Sequence, residues 1–121
     1  MKNIIEKIKS LNLPENKYVV IGSGTLDALG IRDANDIDIS VTSELLNQLN
    51  DVKDWKEKGI DIQAELLNGN YSVSTEELIR SAIVIDGIRF MNLDELIRFK
   101  KAMGRDKDLQ DIKLINTYQQ G

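Results

Sequence analysis

A short apolar run that ends in a Gly-Ser pair, followed twelve residues later by alternating aspartates, constrains this chain more than any other feature. Tyr18–Ile21 is β-branched and apolar, and Gly22-Ser23 follows it directly. Asp36-Ile37-Asp38-Ile39 then alternates between charged and apolar side chains, as a strand with two different faces does. The residues between are enough for a short helix and a loop, so we expect the two strands to lie side by side in one sheet.

The remaining elements are predicted from hydrophobic spacing and from helix and turn signals. Ile4, Ile5, Ile8 and Leu11 recur at helical spacing, and Asp86-Gly87 between two β-rich runs predicts a hairpin. The predicted helices are the first dozen residues, Thr25–Leu29, Thr42 or Ser43 to about Asn50, Ser74 or Thr75 to Arg80, Leu93–Met103 and about Lys107–Tyr118. The predicted strands are Tyr18–Ile21, Asp36–Val41, Ile60–Leu66, Ala82–Ile85 and Ile88–Met91, and residues 51–58 stay ambiguous. This order predicts one α/β (α+β) domain over residues 1–121, with a mixed sheet flanked by helices and a C-terminal helix pair.

Two residue types that often carry chemistry are missing from the sequence. It has no cysteine, which excludes disulfides, thiolate nucleophiles and cysteine-based zinc sites. It also has no histidine, which removes the usual neutral-pH general base and the commonest transition-metal ligand. Chemistry must therefore come from carboxylates, Lys, Arg, hydroxyl groups or a bound hard cation.

Charge and hydropathy limit the partners and the compartment. The net charge of −4 argues against broad electrostatic binding to nucleic acid, although it is compatible with a small basic pocket. No apolar run is long enough for a membrane span, and the charged amino-terminal sequence lacks the core of a signal peptide. We expect a cytoplasmic protein that has no membrane partner.

The aspartates and the Gly-Ser pair suggest complementary binding roles. Alternate residues of a strand lie roughly 6.5 Å apart on the same side, so Asp36 and Asp38 face one way. Carboxylates bind hard cations such as Mg²⁺, and a paired-metal site can activate a hydroxyl and stabilise a leaving pyrophosphate without histidine. Gly22 and Ser23, where a strand turns into a helix, offer backbone N–H groups, close backbone approach and a hydroxyl to a phosphate.

Other interpretations of this stretch fit less well. A dinucleotide-binding fingerprint requires glycine where Asp27 stands, and a P-loop requires a Gly-Lys-Ser/Thr sequence that is missing. A haloacid-dehalogenase phosphatase would use Asp36 as its phosphorylated nucleophile, but its strand follows an apolar run rather than polar residues such as those at 32–35. Taken alone, Asp36 and Asp38 are also explained as two solvated carboxylates at a strand edge.

The combination of these features resembles the signature of the DNA polymerase beta-like nucleotidyltransferase superfamily. The matching residues are Ile21-Gly22-Ser23 and Asp36-Ile37-Asp38-Ile39, with Gly30 and Arg32 in the loop between them. The resemblance implies a nucleotidyltransferase fold in which the Gly-Ser turn holds a nucleoside triphosphate (NTP) and the two aspartates bind Mg²⁺. We expect two Mg²⁺ ions, with Mn²⁺ as the alternative metal.

The same family usually has a third acidic ligand on a later strand. Asp61, flanked by Ile60 and Ile62, is the candidate, and Glu65 on the same predicted face is the alternative. Both residues are also explained as charges that face the solvent. Without a third carboxylate the metal would be weakly held.

The segment Leu93–Asp111 resembles the C-terminal motif of bacterial nucleotidyltransferase-like proteins of the abortive-infection toxin type and their minimal relatives. The residues at the matching positions are Lys100, Arg105, Lys107, Asp108 and Asp111. Lys100, Arg105 and Lys107 are then expected to bind the nucleotide, where cations can neutralise phosphate charge in the transition state. The alternative is a helix hairpin in which Arg105 and Lys107 pair with Asp108 and Asp111 at the surface, where such pairs add little stability.

These features favour a Mg²⁺-dependent nucleotidyltransferase that moves a nucleoside monophosphate from ATP, GTP or another NTP to a protein, an RNA or a small molecule. Asp36, Asp38 and Asp61 would be its catalytic and metal-binding residues. The alternative is a non-catalytic nucleotidyltransferase-like binding module, such as one partner of a toxin–antitoxin pair. A chain of 121 residues leaves little room for an acceptor-binding domain. We therefore expect a partner protein or a homodimer to complete the site, and nucleic acid only as an acceptor.

Overall fold

The computed structural model describes residues 3–49, 52–64, 66–68 and 71–121. Its helices are α1 (Ile4–Lys9), α2 (Ser23–Ala28), α3 (Ser43–Gln48), α4 (Val52–Glu57), α5 (Thr75–Arg80), α6 (Leu93–Met103) and α7 (Asp106–Gln120). Its strands are β1 (Tyr18–Ile21), β2 (Ile37–Val41), β3 (Ile60–Gln63), β4 (Leu66–Asn68), β5 (Tyr71–Val73), β6 (Ile83–Ile85) and β7 (Ile88–Phe90). No helix in these ranges is both long enough and apolar enough to span a membrane.

Five of these strands form one mixed sheet in the order β3-β2-β1-β7-β6. The pairs β1–β2 and β6–β7 are antiparallel, whereas β2–β3 and β1–β7 are parallel. Helices α3 and α4 lie between β2 and β3 in sequence and make the crossover that a parallel pair requires. The predicted α/β architecture, a mixed sheet flanked by helices, is confirmed.

Side-chain caps and turn residues explain several element boundaries. Thr42, Ser74 and Asn92 each accept a hydrogen bond from the backbone N–H three residues later, at the starts of α3, α5 and α6. Helix α6 ends at Gly104, whose φ of 63° is in the left-handed region that favours glycine. Asp86-Gly87 has positive φ at both residues, as the predicted two-residue hairpin turn requires.

The sheet separates two clusters of buried side chains. The first joins α1 and α3 to alternate residues of β1, β2, β3 and β7, among them Val20, Ile37, Ile39, Ile60, Ile62, Ile88 and Phe90. The second joins α2, α5, α6 and α7 to the other face of β1, through Val19 and Ile21. Asp38 and Asp61 alternate with the isoleucines of the first cluster, so they lie on the side of the sheet that carries α6 and α7.

The predicted elements differ from the structure mainly in the third strand. The predicted strand Ile60–Leu66 is wrong beyond Gln63, because Leu66–Asn68 pairs with Tyr71–Val73 in a separate two-stranded sheet. Residues 51–58, which were ambiguous from sequence, contain α4. Asp36 precedes β2 rather than beginning it.

Candidate functional site

The turn between β1 and α2 lies beside the first residues of β2. Ile21 is paired with Asp38 in the antiparallel register, and Gly22 follows directly. Gly22 has a φ of 64° and a ψ of −140°, a conformation that favours glycine. A Cβ atom at this position would lie 3.5 Å from Asp38 Oδ2. The turn therefore brings its backbone close to the carboxylate, and Ser23 begins α2 next to it.

Asp36, Asp38 and Asp61 lie at the same end of two neighbouring strands. Asp38 is paired with Asp61 across the parallel strands β2 and β3. Asp36 is exposed and precedes β2, and its Oδ1 would lie 3.4 Å from a Cβ atom at Gly59. The predicted acidic residues are thus placed together at the start of β2 and β3.

The charges of Asp36 and Asp61 act on Asp38. Burial raises the pKa of Asp38 above its ordinary value, and the negative charges of Asp61 and Asp36 raise it further. The positive charges of Lys100 and Lys107 act in the opposite direction. An ionised Asp38 therefore experiences both desolvation and like-charge repulsion, and a bound cation would relieve both.

Within the described residues, the carboxylates do not form a complete metal cage. No group of three or more Asp or Glu side chains in that part of the chain could by itself hold a metal ion. Mg²⁺, however, usually keeps several waters and binds through one or two carboxylates together with substrate phosphates. The donor set fits an ion that is shared with a phosphate-bearing substrate. Glu65, the alternative third carboxylate, lies outside the described residues.

A cleft of about 250 Å³ opens beside Asp36 and Asp38. Its lining contains most of the residues that the sequence analysis selected: Gly22, Ser23, Asp36, Asp38, Lys100, Arg105 and Lys107. Asp61 does not line the cleft, although its charge acts on Asp38. The structure thus brings the Gly-Ser turn, two aspartates and the selected cations to one place.

A buried ion-pair network lies beneath the basic side of the cleft. Asp111 of α7 accepts hydrogen bonds from Arg32 Nε at 2.6 Å and Arg32 Nη2 at 2.7 Å, and Lys100 Nζ lies 2.8 Å from Asp111 Oδ2. The side chains of Lys100 and Asp111 are only 4% and 5% exposed. Burial alone would raise the pKa of Asp111, but the hydrogen bonds from Arg32 and Lys100 outweigh it and lower the pKa.

Asp108 extends the same network to the start of α7. Its Oδ2 accepts hydrogen bonds from the backbone N–H of Arg105 at 3.1 Å and from Arg105 Nε at 2.7 Å. Lys100 Nζ lies 3.5 Å from Asp108 Oδ1. Burial opposes ionisation of this carboxyl, yet the hydrogen bonds from Arg105 and the charge of Lys100 hold its pKa below the ordinary value.

The alternative of a surface helix hairpin differs from the structure. Asp108 and Asp111 are buried rather than exposed, and Asp111 pairs with Arg32 and Lys100. Of the pairs suggested from sequence, the structure contains that between Arg105 and Asp108. The two aspartates are therefore buried partners of Arg32, Lys100 and Arg105, which line the cleft, rather than solvent-exposed charges.

Six further residues line the cleft that sequence reasoning left without a site role: Arg32, Asn35, Phe99, Met103, Asp108 and Asp111. Phe99 is a buried core residue of α6, and the sequence pattern of such residues does not distinguish a cleft wall from a core position. The two acids had a signal in the sequence, because Asp108 and Asp111 stand at helical spacing from the apolar Ile115 and so share its face of α7.

The cleft combines hard oxygen donors with side-chain cations, a combination suited to a phosphate bound together with a divalent metal. Comparisons with protein-family models, curated proteins and solved structures gave no match. Function must therefore be inferred from the chemistry of the cleft residues themselves.

Proposed function

We propose that this protein is a Mg²⁺-dependent nucleotidyltransferase, with a nucleotidyltransferase fold, that moves a nucleoside monophosphate from an NTP to an acceptor. The observation that carries the proposal is one cleft lined by Gly22-Ser23, Asp36, Asp38, Lys100 and Arg105. The resemblance of these residues to the polymerase beta-like superfamily supports the same reaction.

Asp36 and Asp38 would hold the metal, and Asp61 would support them from the next strand. The raised pKa of Asp38 reflects burial and an excess of negative charge that a divalent cation would compensate. When bound, Mg²⁺ would activate the attacking hydroxyl and neutralise phosphate charge. Asp61 is paired with Asp38 in register and keeps this part of the cleft negative, which strengthens cation binding.

The Gly22-Ser23 turn and the basic residues would bind the triphosphate. Gly22 allows close backbone approach, and the hydroxyl of Ser23 adds a hydrogen bond. Lys100, Arg105 and Lys107 would stabilise the negative charge that develops on the leaving pyrophosphate. Lys100 is already fixed by two buried aspartates, so little reorganisation is needed when substrate binds.

A binding module without transfer activity is the second candidate. It is favoured by the position of Asp61 outside the cleft lining and by the lack of a complete three-acid metal group among the described residues. Such a module would bind an NTP or a protein, for example as one partner of a toxin–antitoxin pair. It would not consume the nucleotide.

The small volume of the cleft favours a partner protein that completes the site, whether the chain is a transferase or a binding module. Its volume of about 250 Å³ is below the range of roughly 300–1,000 Å³ that is typical of pockets enclosing small molecules. The cleft would therefore hold the phosphates and leave part of the nucleoside uncovered. A second copy of the chain or a different protein would complete the site.

Calorimetric titration separates these possibilities. Wild-type protein and the variants Asp38→Ala and Asp94→Asn are titrated with each NTP, with and without Mg²⁺. Asp94 is an exposed acid of α6 outside the cleft, so its variant is the matched control. We expect metal-dependent binding by wild type and Asp94→Asn, and binding weakened by at least about tenfold in Asp38→Ala.

A transfer assay then tests the reaction. Protein is incubated with Mg²⁺, NTP labelled at the α-phosphate and a cell extract, and the labelled acceptor is identified by mass spectrometry. Metal-dependent binding without label transfer would favour the binding module. Lack of metal-dependent binding by wild type would exclude the catalytic proposal.

A further inference from the structure

Arg32 is the link between the ion-pair network and the Gly-Ser turn. Its Nε and Nη2 contact the two oxygens of Asp111 at 2.6 and 2.7 Å, which is a bidentate arrangement. The same Nη2 donates a hydrogen bond to Ser23 Oγ at 2.8 Å, and Nη1 donates one to the Asp33 carbonyl oxygen at 2.7 Å. These contacts use four of the five N–H donors of a guanidinium.

The contact with Arg32 determines how the hydroxyl of Ser23 can be used. A serine hydroxyl has one hydrogen to donate and lone pairs that accept. A guanidinium only donates, so in the Arg32–Ser23 hydrogen bond the serine oxygen must be the acceptor. The hydrogen of Ser23 is then available to an acceptor in the cleft, such as a phosphate oxygen.

Asp111 in turn fixes the orientation of Arg32. The two parallel hydrogen bonds hold the guanidinium plane, and the carboxylate that makes them is almost fully buried in α7. Lysine could replace the charge of Arg32 but not this fork geometry. Three residues from the start of α2, the following loop and α7 are therefore connected in one chain of hydrogen bonds.

We infer that Asp111 and Arg32 are positioning residues that present the Ser23 hydroxyl as a hydrogen-bond donor to the phosphate chain. This inference rests on the proposed binding of a triphosphate in the cleft, but it does not require transfer of a nucleotide. Ser23 is the residue that touches phosphate, Arg32 acts through Ser23, and Asp111 acts through Arg32. If the network only stabilised the fold, substitutions of Ser23 and Arg32 would not affect phosphate binding through one another.

The first experiment follows the Arg32 Nε–H signal in ¹H–¹⁵N spectra of the full chain. In wild type we expect a slowly exchanging signal, because this N–H is bonded to a buried carboxylate. Asp111→Asn is expected to shift it or abolish it, whereas Ser23→Ala leaves it in place. A signal unaffected by Asp111→Asn would overturn the inference.

The second experiment is a double-mutant cycle on phosphate binding. Inorganic tripolyphosphate with Mg²⁺ is the probe, since it carries the phosphates without a base or a reaction. Ser23→Ala and Arg32→Lys are each expected to weaken binding by about tenfold, the effect of one hydrogen bond to a charged group. The double variant is expected to be no weaker than the weaker single variant. Ser72→Ala and Arg98→Lys, at exposed positions outside the cleft, are the controls.

The outcomes separate this inference from the proposed function. Coupled effects of Ser23 and Arg32 support the inference even if the transfer assay is negative. Effects that multiply in the double variant would overturn it, because Arg32 would then act independently of Ser23. Failure of wild type to bind tripolyphosphate would overturn it as well. Melting temperatures of all variants are measured, and Arg32→Lys keeps the test available should Asp111→Asn fold poorly.

Discussion

Asp38 is the residue at which burial and charge conflict most directly. It is half-buried, it faces two other carboxylates, and its pKa is raised mainly by desolvation. A group whose pKa is raised in the folded state is ionised more easily in the unfolded chain. Ionised Asp38 therefore lowers the stability of the metal-free protein, as residues at functional sites commonly do.

We predict that Asp38→Asn stabilises the metal-free protein at pH 7, with a melting temperature a few degrees higher than that of wild type. The destabilisation by Asp38 is absent below its unfolded pKa, grows as the pH rises from there to its raised folded pKa, and stays constant above that. The difference between the two proteins should therefore shrink as the pH is lowered toward about 4. Thermal scans of both proteins across this pH range, in the presence of a chelator, measure the difference in melting temperature.

Asp86→Asn is the control for that comparison, since Asp86 is exposed in the turn between β6 and β7, where asparagine is tolerated equally well. It should leave the melting temperature nearly unchanged at both ends of the pH range. A melting temperature for Asp38→Asn that lies below wild type at pH 7 would contradict the prediction. It would mean that the ionised carboxylate makes stabilising contacts that outweigh its burial and repulsion.

Residues of the candidate site were predictable from sequence where they lie close together along the chain, because their spacing then fixes their relative positions. Gly22, Ser23, Asp36 and Asp38 fall within one strand–helix–strand unit, and their relative positions follow from the geometry of that unit. The Arg32–Asp111 pair was not predictable, because the two residues are 79 positions apart and only the packing of α7 brings them together. Local propensity carries no information about such contacts.

At the scale of elements, α2 packs very closely on β1. A Cβ atom at Gly24 would overlap Val20 Cγ1 of the buried strand and lie 3.6 Å from Ile4 Cδ1. Val20 is fully buried and β-branched, so its side chain has little freedom to move away. Glycine at this position therefore sets the distance between the helix and the sheet, and with it the position of the Gly-Ser turn.

We predict that Gly24→Ala destabilises the protein by about 1–3 kcal/mol, in spite of the higher helix propensity of alanine. The cause is steric overlap with Val20, so Val20→Ala should remove part of the penalty in a double variant. Urea denaturation of the four proteins in this cycle gives the coupling free energy. Additive effects of the two substitutions would show that the overlap with Val20 is not the cause.

The pairing of α6 with α7 depends on charges as well as apolar contacts. Asp108 and Lys100 are both buried, and Asp108 also binds the backbone and side chain of Arg105. Removing one partner from a buried ion pair leaves an uncompensated charge. The sequence pattern predicts both helices but does not indicate that Lys100 and Asp108 are buried, since charged side chains are seldom fully buried.

We predict that Asp108→Ala lowers the free energy of unfolding by about 3–5 kcal/mol. Asp106→Ala is the matched control, because Asp106 also lies in the first turn of α7 but is exposed. It should cost about 0.3–1 kcal/mol, the value of a favourable helix-dipole interaction. Both values are measured by urea denaturation. Similar losses for the two variants would contradict a special role for the buried pair.

Element boundaries were predictable where a cap or turn residue marks them, and not where tertiary pairing decides. Thr42, Ser74 and Asn92 cap helices, and Gly104 ends α6, as such residues commonly do. The alternation that begins at Ile60 continues past Gln63, so the sequence alone does not indicate where β3 stops. The separate pairing of β4 with β5 decides that boundary.

At the scale of the whole molecule, the cleft is formed by parts of the chain that are distant in sequence. Asp36 and Asp38 lie at the start of β2, whereas Lys100 of α6 and the α7 aspartates Asp108 and Asp111 come from the C-terminal half of the chain. Parallel pairing of β1 with β7 brings the beginning of α6 next to the central strand, and Met91 N–H donates to the Val20 carbonyl at 2.7 Å. A phosphate-bearing ligand in this cleft would therefore link both halves of the chain.

We predict that NTP with Mg²⁺ protects two separate segments from amide hydrogen exchange: residues 22–25, and residues 100–111. Ligand binding favours the closed form of every segment whose opening would disrupt the site, so both segments should be protected together. Chelation of the metal, or the Asp38→Ala substitution, should remove the protection of both. Protection limited to residues 100–111 would mean that the ligand binds the basic residues alone, without the Gly-Ser turn or the carboxylates.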